Sequence, residues 1–169
     1  MKKIYYTTME TKIGKVYLAG SEKGLRQLAL TPREWHEFVA KTERENSASL
    51  VHDGSKLKNV QKKLKDYLAG RKVEFKEKFD WEGFTPFQKK VWTQMLKIPY
   101  GQTKSYKWLA EKINIRSPRA VGQACGSNPL PIVVPCHRVI ASDGSLGGFG
   151  GGLGLKAKLL NLEKANPVW

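Results

Sequence analysis

Residues 128–140 constrain the fold most strongly, because they hold three prolines within thirteen positions. Proline fixes φ and lacks an N–H donor, so this stretch cannot form a long helix or a central strand. Pro135 ends an extended segment, and we expect Cys136 to lie at the turn that follows. A thiol that begins a helix beside cationic side chains, here His137 and Arg138, is favoured as the thiolate. The stretch therefore predicts a reactive cysteine.

The charge is large and unevenly distributed. The formal net charge is +15, with 18 Lys and Arg against 12 Asp and Glu in residues 1–84 and 12 against 3 in residues 85–169. Such a basic, acid-poor half favours a polyanionic partner, with nucleic acid the leading candidate. A lysine-rich surface that only promotes solubility is the alternative. Glu163 is one of the few acids in this half, so it needs an explanation.

The chain carries no targeting or membrane signal that we can identify. No apolar run has membrane-spanning length, and the first residues lack the apolar core of a signal peptide. Two cysteines eleven positions apart are a poor disulfide framework, which favours a reducing, cytoplasmic setting, or a nuclear one in a eukaryote. We expect a monomer without a membrane partner.

The first half is predicted to be a small antiparallel sheet with helices. Strands are predicted where apolar and polar residues alternate, and helices where apolar residues recur on one face. The expected strands are residues 4–8, 13–19, 24–31 and 73–79, and the expected helices are 32–41 and 55–68, the second capped by Ser55. We expect residues 42–54 to form a loop and 80–84 a linker between domains 1–84 and 85–169.

The second half is predicted to be helical and to contain a helix-turn-helix. Thr85-Pro86 with Gln88 forms a capping box, Ser105 caps a helix over 106–113, and Ser117-Pro118 begins another that ends before Asn128. Two short helices joined by a few residues are typical of a helix-turn-helix, although many such pairs only pack together. The overall class is α/β (α+β), with a winged-helix-like second domain.

Residues 141–154 contain seven glycines, and a final helix is predicted over 153–164. The glycines suit either a flexible loop or a backbone that approaches a ligand closely. The segment lacks the Lys-Ser/Thr ending of a phosphate-binding loop. We expect Lys156 and Lys158 of the helix to be solvated. Glu163 lies near the helix end, where the macrodipole disfavours a negative charge unless a partner compensates.

Cys136 and His137 suggest nucleophilic catalysis, yet neighbouring residues on a helix point about 100° apart. A bridging water could carry the proton, with His137 oriented by Glu163. A cysteine protease is the weaker alternative, because its histidine usually comes from a distant segment. Zinc bound by Cys125, Cys136 and His137 is another, although no paired ligand spacing is present.

Arg119-Ala-Val-Gly122, Asn128-Pro129 and Pro135-Cys-His-Arg-Val139 together closely resemble the O6-alkylguanine-DNA alkyltransferase family. The resemblance is strong over residues 84–164 and general over the first half. It implies direct, irreversible repair of double-stranded DNA, in which a flipped O6-alkylguanine, or less readily O4-alkylthymine, gives its alkyl group to Cys136. It implies no cofactor. Some eukaryotic members have zinc ligands in the first domain, but residues 1–84 of this chain contain no cysteine, so we expect no metal.

The resemblance also assigns residue roles. His137 is implied as a water-mediated base positioned by Glu163, and Tyr106 as a hydroxyl donor to the guanine ring. Arg119 would fill the space of the flipped nucleotide, and Asn128 would hold the turn before the cysteine. The other implied DNA contacts are Lys107, Asn114 and Ser142, and the implied substrate pocket comprises Pro131, Val139, Phe149, Gly150 and Gly151.

This chain departs from some relatives in the glycine-rich segment. Phe149-Gly150 replaces Tyr-Ser, which keeps the N–H of Gly150 but loses a hydroxyl, and Gly151 replaces a bulkier residue. We therefore expect large groups such as benzyl to be accepted. Two other functions remain open: a non-catalytic sensor that binds alkylated DNA and recruits repair factors, and a helix-turn-helix regulator. The presence of Cys136 argues against the sensor, and the regulator leaves the Pro-Cys-His-Arg segment unexplained.

Overall fold

The computed structural model describes residues 2–45 and 48–164, and it divides into two compact units with the boundary between Glu82 and Gly83. The first unit contains a four-stranded sheet and two helices. The second contains four helices and a two-stranded sheet. The predicted α/β class is confirmed, with the small sheet in the first unit and the helical part in the second.

The sheet of the first unit comprises β1 (Lys3–Thr11), β2 (Gly14–Ser21), β3 (Gly24–Ala29) and β4 (Ser49–His52), in the order β3-β2-β1-β4. β1, β2 and β3 form the predicted antiparallel meander. β4 pairs in parallel with β1, so the sheet is mixed. The expectation of a loop over 42–54 was wrong at β4, because a four-residue strand gives too short a pattern to detect.

The predicted strand over 73–79 is extended but pairs only at its end. Leu25 donates its N–H to the carbonyl of Lys78 at 2.8 Å, and Asp80 donates to the carbonyl of Leu25 at 2.7 Å. Exposure alternates along the segment as the sequence pattern suggested. The alternation correctly indicated an extended backbone, but only the bridge between Leu25 and Phe79 joins it to the sheet.

Two helices pack in the first unit. α1 (Pro32–Arg44) begins with proline at its first turn and a capping box between Thr31 and Glu34. Its Trp35 packs in a buried cluster with Ile4, Ala19 and Ala29. α2 (Lys58–Leu68) buries four side chains, Val60, Leu64, Tyr67 and Leu68. A 3₁₀ turn precedes α2, and there Asp53 rather than Ser55 supplies the capping oxygen.

The second unit is built from α3 (Pro86–Met95), α4 (Tyr106–Lys112), α5 (Pro118–Gly126) and α6 (Leu153–Leu162). β5 (Lys104–Ser105) pairs in parallel with β6 (Val139–Ile140). The predicted caps hold: Thr85, Ser105 and Ser117 each accept a hydrogen bond from a first-turn N–H. α4 and α5 pack together as the helix-turn-helix. Within the described ranges, no helix is both long and apolar enough to span a membrane.

Candidate active site

Asn128 holds the proline-rich stretch against the end of α5. Its Nδ2 donates to the carbonyl of Val134 at 2.8 Å, and its Oδ1 accepts from the N–H of Leu130 at 2.9 Å. Between these bonds, the buried Ile132 has φ of +73°. A β-branched residue in this region is strained, by about 1–3 kcal/mol, and such strain persists only where the surroundings impose it. The two bonds of Asn128 span this strained turn.

Cys136 begins a 3₁₀ turn over Cys136–Arg138 and is 9% exposed. Burial raises the pKa of the thiol, although a hydrogen bond with Asn128 and the charge of Lys156 act in the opposite direction. The expectation that the turn and the cations favour the thiolate was therefore wrong for the resting site. Desolvation outweighs them, and a base is needed to ionise the thiol.

His137, Arg138 and Glu163 form a buried charge cluster behind the cysteine. His137 Nε2 lies 2.8 Å from Glu163 Oε1. The guanidinium of Arg138 reaches both carboxylate oxygens through Nε, at 3.2 and 3.0 Å, and Oε1 through Nη2, at 2.8 Å. Its Nη1 donates to the carbonyl of Ile98 at 2.8 Å. These partners explain why an acid is kept at the unfavourable end of α6.

The cluster fixes the protonation of His137. Burial alone would raise the pKa of Glu163, but hydrogen bonds from His137 and Arg138 hold it well below the ordinary value. Burial lowers the pKa of His137 despite the bond to Glu163, so the imidazole is neutral near pH 7. A carboxylate on Nε2 accepts that nitrogen's proton in a hydrogen bond, which puts the basic lone pair on Nδ1. The arrangement can therefore accept a proton.

A cavity of about 670 Å³ opens beside Cys136, which is large enough for a nucleobase. Burial raises the pKa of Tyr106 to about 12, so its hydroxyl remains a donor. Six of the residues predicted to act in binding line the cavity: Tyr106, Lys107, Arg119, Ser142, Phe149 and Gly150. Cys125 of α5 lines it as well, and burial raises the pKa of this second thiol to about 12.

The remaining predicted residues lie elsewhere. Asn114 is exposed, with φ of +58°, in the turn between the two helices of the helix-turn-helix. Pro131, Val139 and Gly151 are not among the residues that line the cavity. The Val139 carbonyl instead accepts a hydrogen bond from Lys156. In the described ranges no group of three or more His, Cys, Asp or Glu is arranged to hold a metal ion, and this includes Cys125, Cys136 and His137.

Sequence reasoning missed three residues at this site. Lys156 was expected to be solvated but is fully buried, with Nζ bonded to backbone carbonyls. Arg138 was noted only as a neighbouring cation, although it binds Glu163. Gly147 has φ of +73°, and a Cβ there would lie 2.9 Å from Cε2 of Tyr106. Only the absence of a side chain permits this contact. The sequence near Lys156 holds no acidic residue that could pair with it, so nothing there indicated that this lysine would be buried.

The chain matches two family descriptions, one for each unit. Residues 86–165 match the DNA binding domain of 6-O-methylguanine DNA methyltransferase, and residues 4–81 match its ribonuclease-like domain. A methylated-DNA–protein-cysteine methyltransferase of Methanosarcina barkeri is 41% identical over 165 residues, 96% of this chain and 99% of that protein. The constitutive enzyme of that name from Bacillus subtilis is 38% identical and covers 95% of each chain.

A solved structure supports the same relationship. The crystal structure of Mycobacterium tuberculosis OGT in complex with DNA has a TM-score of 0.79 and 38% identity, covering 95% of this chain and 92% of that one. These similarities define a DNA-binding alkyltransferase class. The chain belongs to the 6-O-methylguanine DNA methyltransferase family. The predicted activity, DNA repair by alkyl transfer, is confirmed at this level.

Proposed function

We propose that the protein repairs O6-alkylguanine in double-stranded DNA by irreversible transfer of the alkyl group to Sγ of Cys136. One observation carries the proposal: the thiol faces a nucleobase-sized cavity and has a neutral histidine, held by a buried carboxylate, as the next residue. Alkyl transfer to a thiol needs a group that accepts the thiol proton and a pocket that admits the purine ring, and these two features support the proposal.

The transfer begins with deprotonation of Cys136. His137 Nδ1 takes the thiol proton through a bridging water, and Glu163 and Arg138 hold the imidazole in the required tautomer. The sulfur attacks the alkyl carbon, an S–C bond forms, and the bond from that carbon to O6 breaks with its electron pair remaining on the purine. Tyr106, whose hydroxyl stays protonated, donates a hydrogen bond to the ring as negative charge develops there.

Access to the cavity requires that the nucleotide leave the duplex, because a buried thiol cannot reach a stacked base. Extrusion costs a few kcal/mol. Arg119 lies exposed in the first turn of α5, at the edge of the cavity, where it can occupy the vacated space. We assign phosphate or backbone contacts to Lys107, Asn114 and Ser142, all of which are exposed. Charge contacts of this kind make the affinity fall as salt rises.

The substrate range follows from the wall of the cavity. Gly150 lines it without a side chain, and we infer that its N–H contacts the base oxygen and that the space beside this glycine admits larger alkyl groups. Benzyl and methyl groups should both be transferred, and O4-alkylthymine less readily. Labelling by methylated DNA with none by O6-benzylguanine as the free base would contradict this part of the proposal. A monomeric state and a cytoplasmic location are further proposals.

Intact-protein mass spectrometry after exposure to duplex DNA with O6-methylguanine tests the proposal. We expect one methyl increment, mapped to Cys136 by peptide analysis and absent in Cys136→Ala. Cys125→Ala is the matched control, since it removes the other thiol of the cavity and should keep the increment. Tight lesion binding without a mass change would instead support the non-catalytic sensor. An increment retained in Cys136→Ala would overturn the assignment of the acceptor.

Arg119→Ala tests the extrusion step by itself. We expect repair of duplex DNA to slow at least tenfold while the reaction with free O6-benzylguanine changes less than twofold, because the free base needs no extrusion. Lys158→Ala, which removes an exposed cation on α6, is the control for a general loss of charge. Equal slowing of both substrates in Arg119→Ala would refute the proposed role.

A further inference from the structure

Lys156, in the first half of α6, is fully buried and has its Nζ bonded to three backbone carbonyls. Nζ donates to Val139 at 2.6 Å, to Leu146 at 2.6 Å and to Gly148 at 3.0 Å. The same nitrogen lies 3.4 Å from the hydroxyl of Tyr106. An ammonium group has three N–H donors, and the three carbonyls account for all of them.

Burying this charge is costly. Among the described residues no carboxylate forms an ion pair with Lys156, and the loss of water is offset by the carbonyl dipoles and by the face of the Tyr106 ring, 5.7 Å from Nζ. Burial lowers the pKa of Lys156 to about 8. An apolar side chain of similar length would fill the same volume without this penalty. The three hydrogen bonds of the ammonium therefore provide a contribution that the packing of an apolar side chain cannot.

The three carbonyls belong to two segments: β6, which lies between the cavity-lining residues Cys136 and Ala141, and the glycine-rich segment. Val139 lies in β6, three residues after the acceptor cysteine, whereas Leu146 and Gly148 lie in the glycine-rich segment. Gly148 and its two successors line the cavity. A glycine-rich backbone loses much conformational entropy on ordering. The ammonium thus binds this segment and the strand after the cysteine at once, beside the packing of Leu146 against Ile140.

We propose that Lys156 is a positioning residue for the alkyl transfer, whose ammonium holds residues 146–150 against β6 as a wall of the cavity. The inference rests on the proposed role of Cys136 as the acceptor. The wall carries the Gly150 N–H and faces Tyr106, so its release would leave the base poorly oriented. Gly147, packed on the ring of Tyr106, completes the closure.

Hydrogen exchange of the backbone amides measures the wall directly and does not depend on alkylation. The amides of Ala141, Gly144 and Gly152 are hydrogen-bonded within or beside this wall, and in Lys156→Met we expect their protection to fall at least tenfold, with α3 and α5 changed less than twofold. Lys158→Met is the matched control on the same helix, where the side chain is exposed. A uniform loss of protection across the second unit would mean that Lys156 only stabilises the fold, and unchanged protection would overturn the proposal.

Titration of the wild-type protein provides a test that does not depend on the variant's folding. The titratable groups that face Lys156 are Tyr106, Cys125, Cys136 and His137. The pKa values of Tyr106 and Cys125 are about 12, that of Cys136 is raised and that of His137 is lowered, which leaves Lys156 to titrate between pH 7 and 9. Protection of the Ala141, Gly144 and Gly152 amides, normalised to intrinsic exchange, should therefore fall over this range. A flat profile would refute the proposal.

The reaction supplies the functional readout. Lys156→Met should slow labelling of Cys136 by free O6-benzylguanine at least tenfold, and Lys156→Arg, which keeps the charge, should recover at least a third of the wild-type rate. If wild-type Cys136 is never labelled, the proposed function fails while the exchange result stands. If Cys136 is labelled and Lys156→Met reacts at the wild-type rate, only the inference about Lys156 fails.

Discussion

Replacing Arg138 with methionine tests whether the buried cluster sets the charge state of Glu163. The guanidinium makes three contacts of 2.8–3.2 Å with the carboxylate and a fourth bond, at 2.8 Å, with the carbonyl of Ile98. Methionine keeps most of the chain length and removes every donor. The carboxylate then remains buried, 3% exposed, and keeps hydrogen bonds with the neutral His137 and with the N–H of Gly101 but loses the cation beside it.

We expect Arg138→Met to lower the free energy of unfolding of the second unit by about 3–5 kcal/mol at pH 7, the usual cost of leaving a buried charge uncompensated. Urea-dependent hydrogen exchange of amides in residues 83–164 measures this without a contribution from the first unit. Arg116→Met, at an exposed arginine of the same unit, should cost less than about 1 kcal/mol. Arg138→Met with Glu163→Gln should recover part of the loss, because the stranded charge is gone.

The stability loss in Arg138→Met should depend on pH in a direction that the pKa of Glu163 sets. The folded-state pKa of Glu163 is lowered from 4.5, so its carboxylate contributes stability that is present above pH 4.5 and lost as pH falls towards the folded value. Arg138 is one cause of that lowering. The stability difference between wild type and Arg138→Met should therefore be full at pH 7 and shrink below pH 4.5. A loss under 1 kcal/mol, or one that is equal at pH 7 and pH 3, would refute this reasoning.

Two further perturbations test the walls of the cavity and the turn before the cysteine. Gly147→Ala puts a Cβ 2.9 Å from the Tyr106 ring at φ of +73°, so labelling by free O6-benzylguanine should slow at least fivefold. Gly144→Ala, at a similar φ of +87° but with open space around it, should not slow labelling. Asn128→Ala leaves the Leu130 N–H without its acceptor and removes one of two hydrogen bonds to the Val134 carbonyl, which still accepts from the Cys136 N–H, so it should cost about 1–3 kcal/mol in urea unfolding. A loss below 0.5 kcal/mol would show that Asn128 does not hold the turn.

The helix boundaries were predictable because their signals are local. Thr85, Ser105 and Ser117 each occupy an N-cap position, and two of them precede a proline, so the sequence itself carries the oxygen and the φ that begin a helix. The pairing of β4 with β1 was not predictable in the same way. It joins segments more than forty residues apart, and nothing in either segment specifies a parallel partner.

The sequence motifs pointed to the residues of the candidate site, but they did not predict which of its charged side chains are buried. The residues themselves suggested a nucleophilic Cys136 with His137 and Glu163 behind it, and the family resemblance then specified the reaction. Lys156 and Lys158 differ by two positions on one helix, yet the first is buried and the second exposed. The residue type is the same at both positions. The groups that bind Lys156 are backbone carbonyls, which every residue has, so the residue types do not reveal them. Burial of a cation by backbone acceptors is therefore invisible until the fold is known.

α6 connects the two parts of the site. Lys156 and Glu163 are seven residues apart, which is close to two helical turns, so they project from nearly the same face about 10.5 Å apart along the axis. Near one end of that face Lys156 binds the Val139 carbonyl, and at the other Glu163 binds His137 and Arg138. Residues 137–139 are therefore held against one face of α6, by Lys156 at Val139 and by Glu163 at His137 and Arg138. Because the pocket wall and the proton acceptor share this support, a shift of α6 would disturb both together.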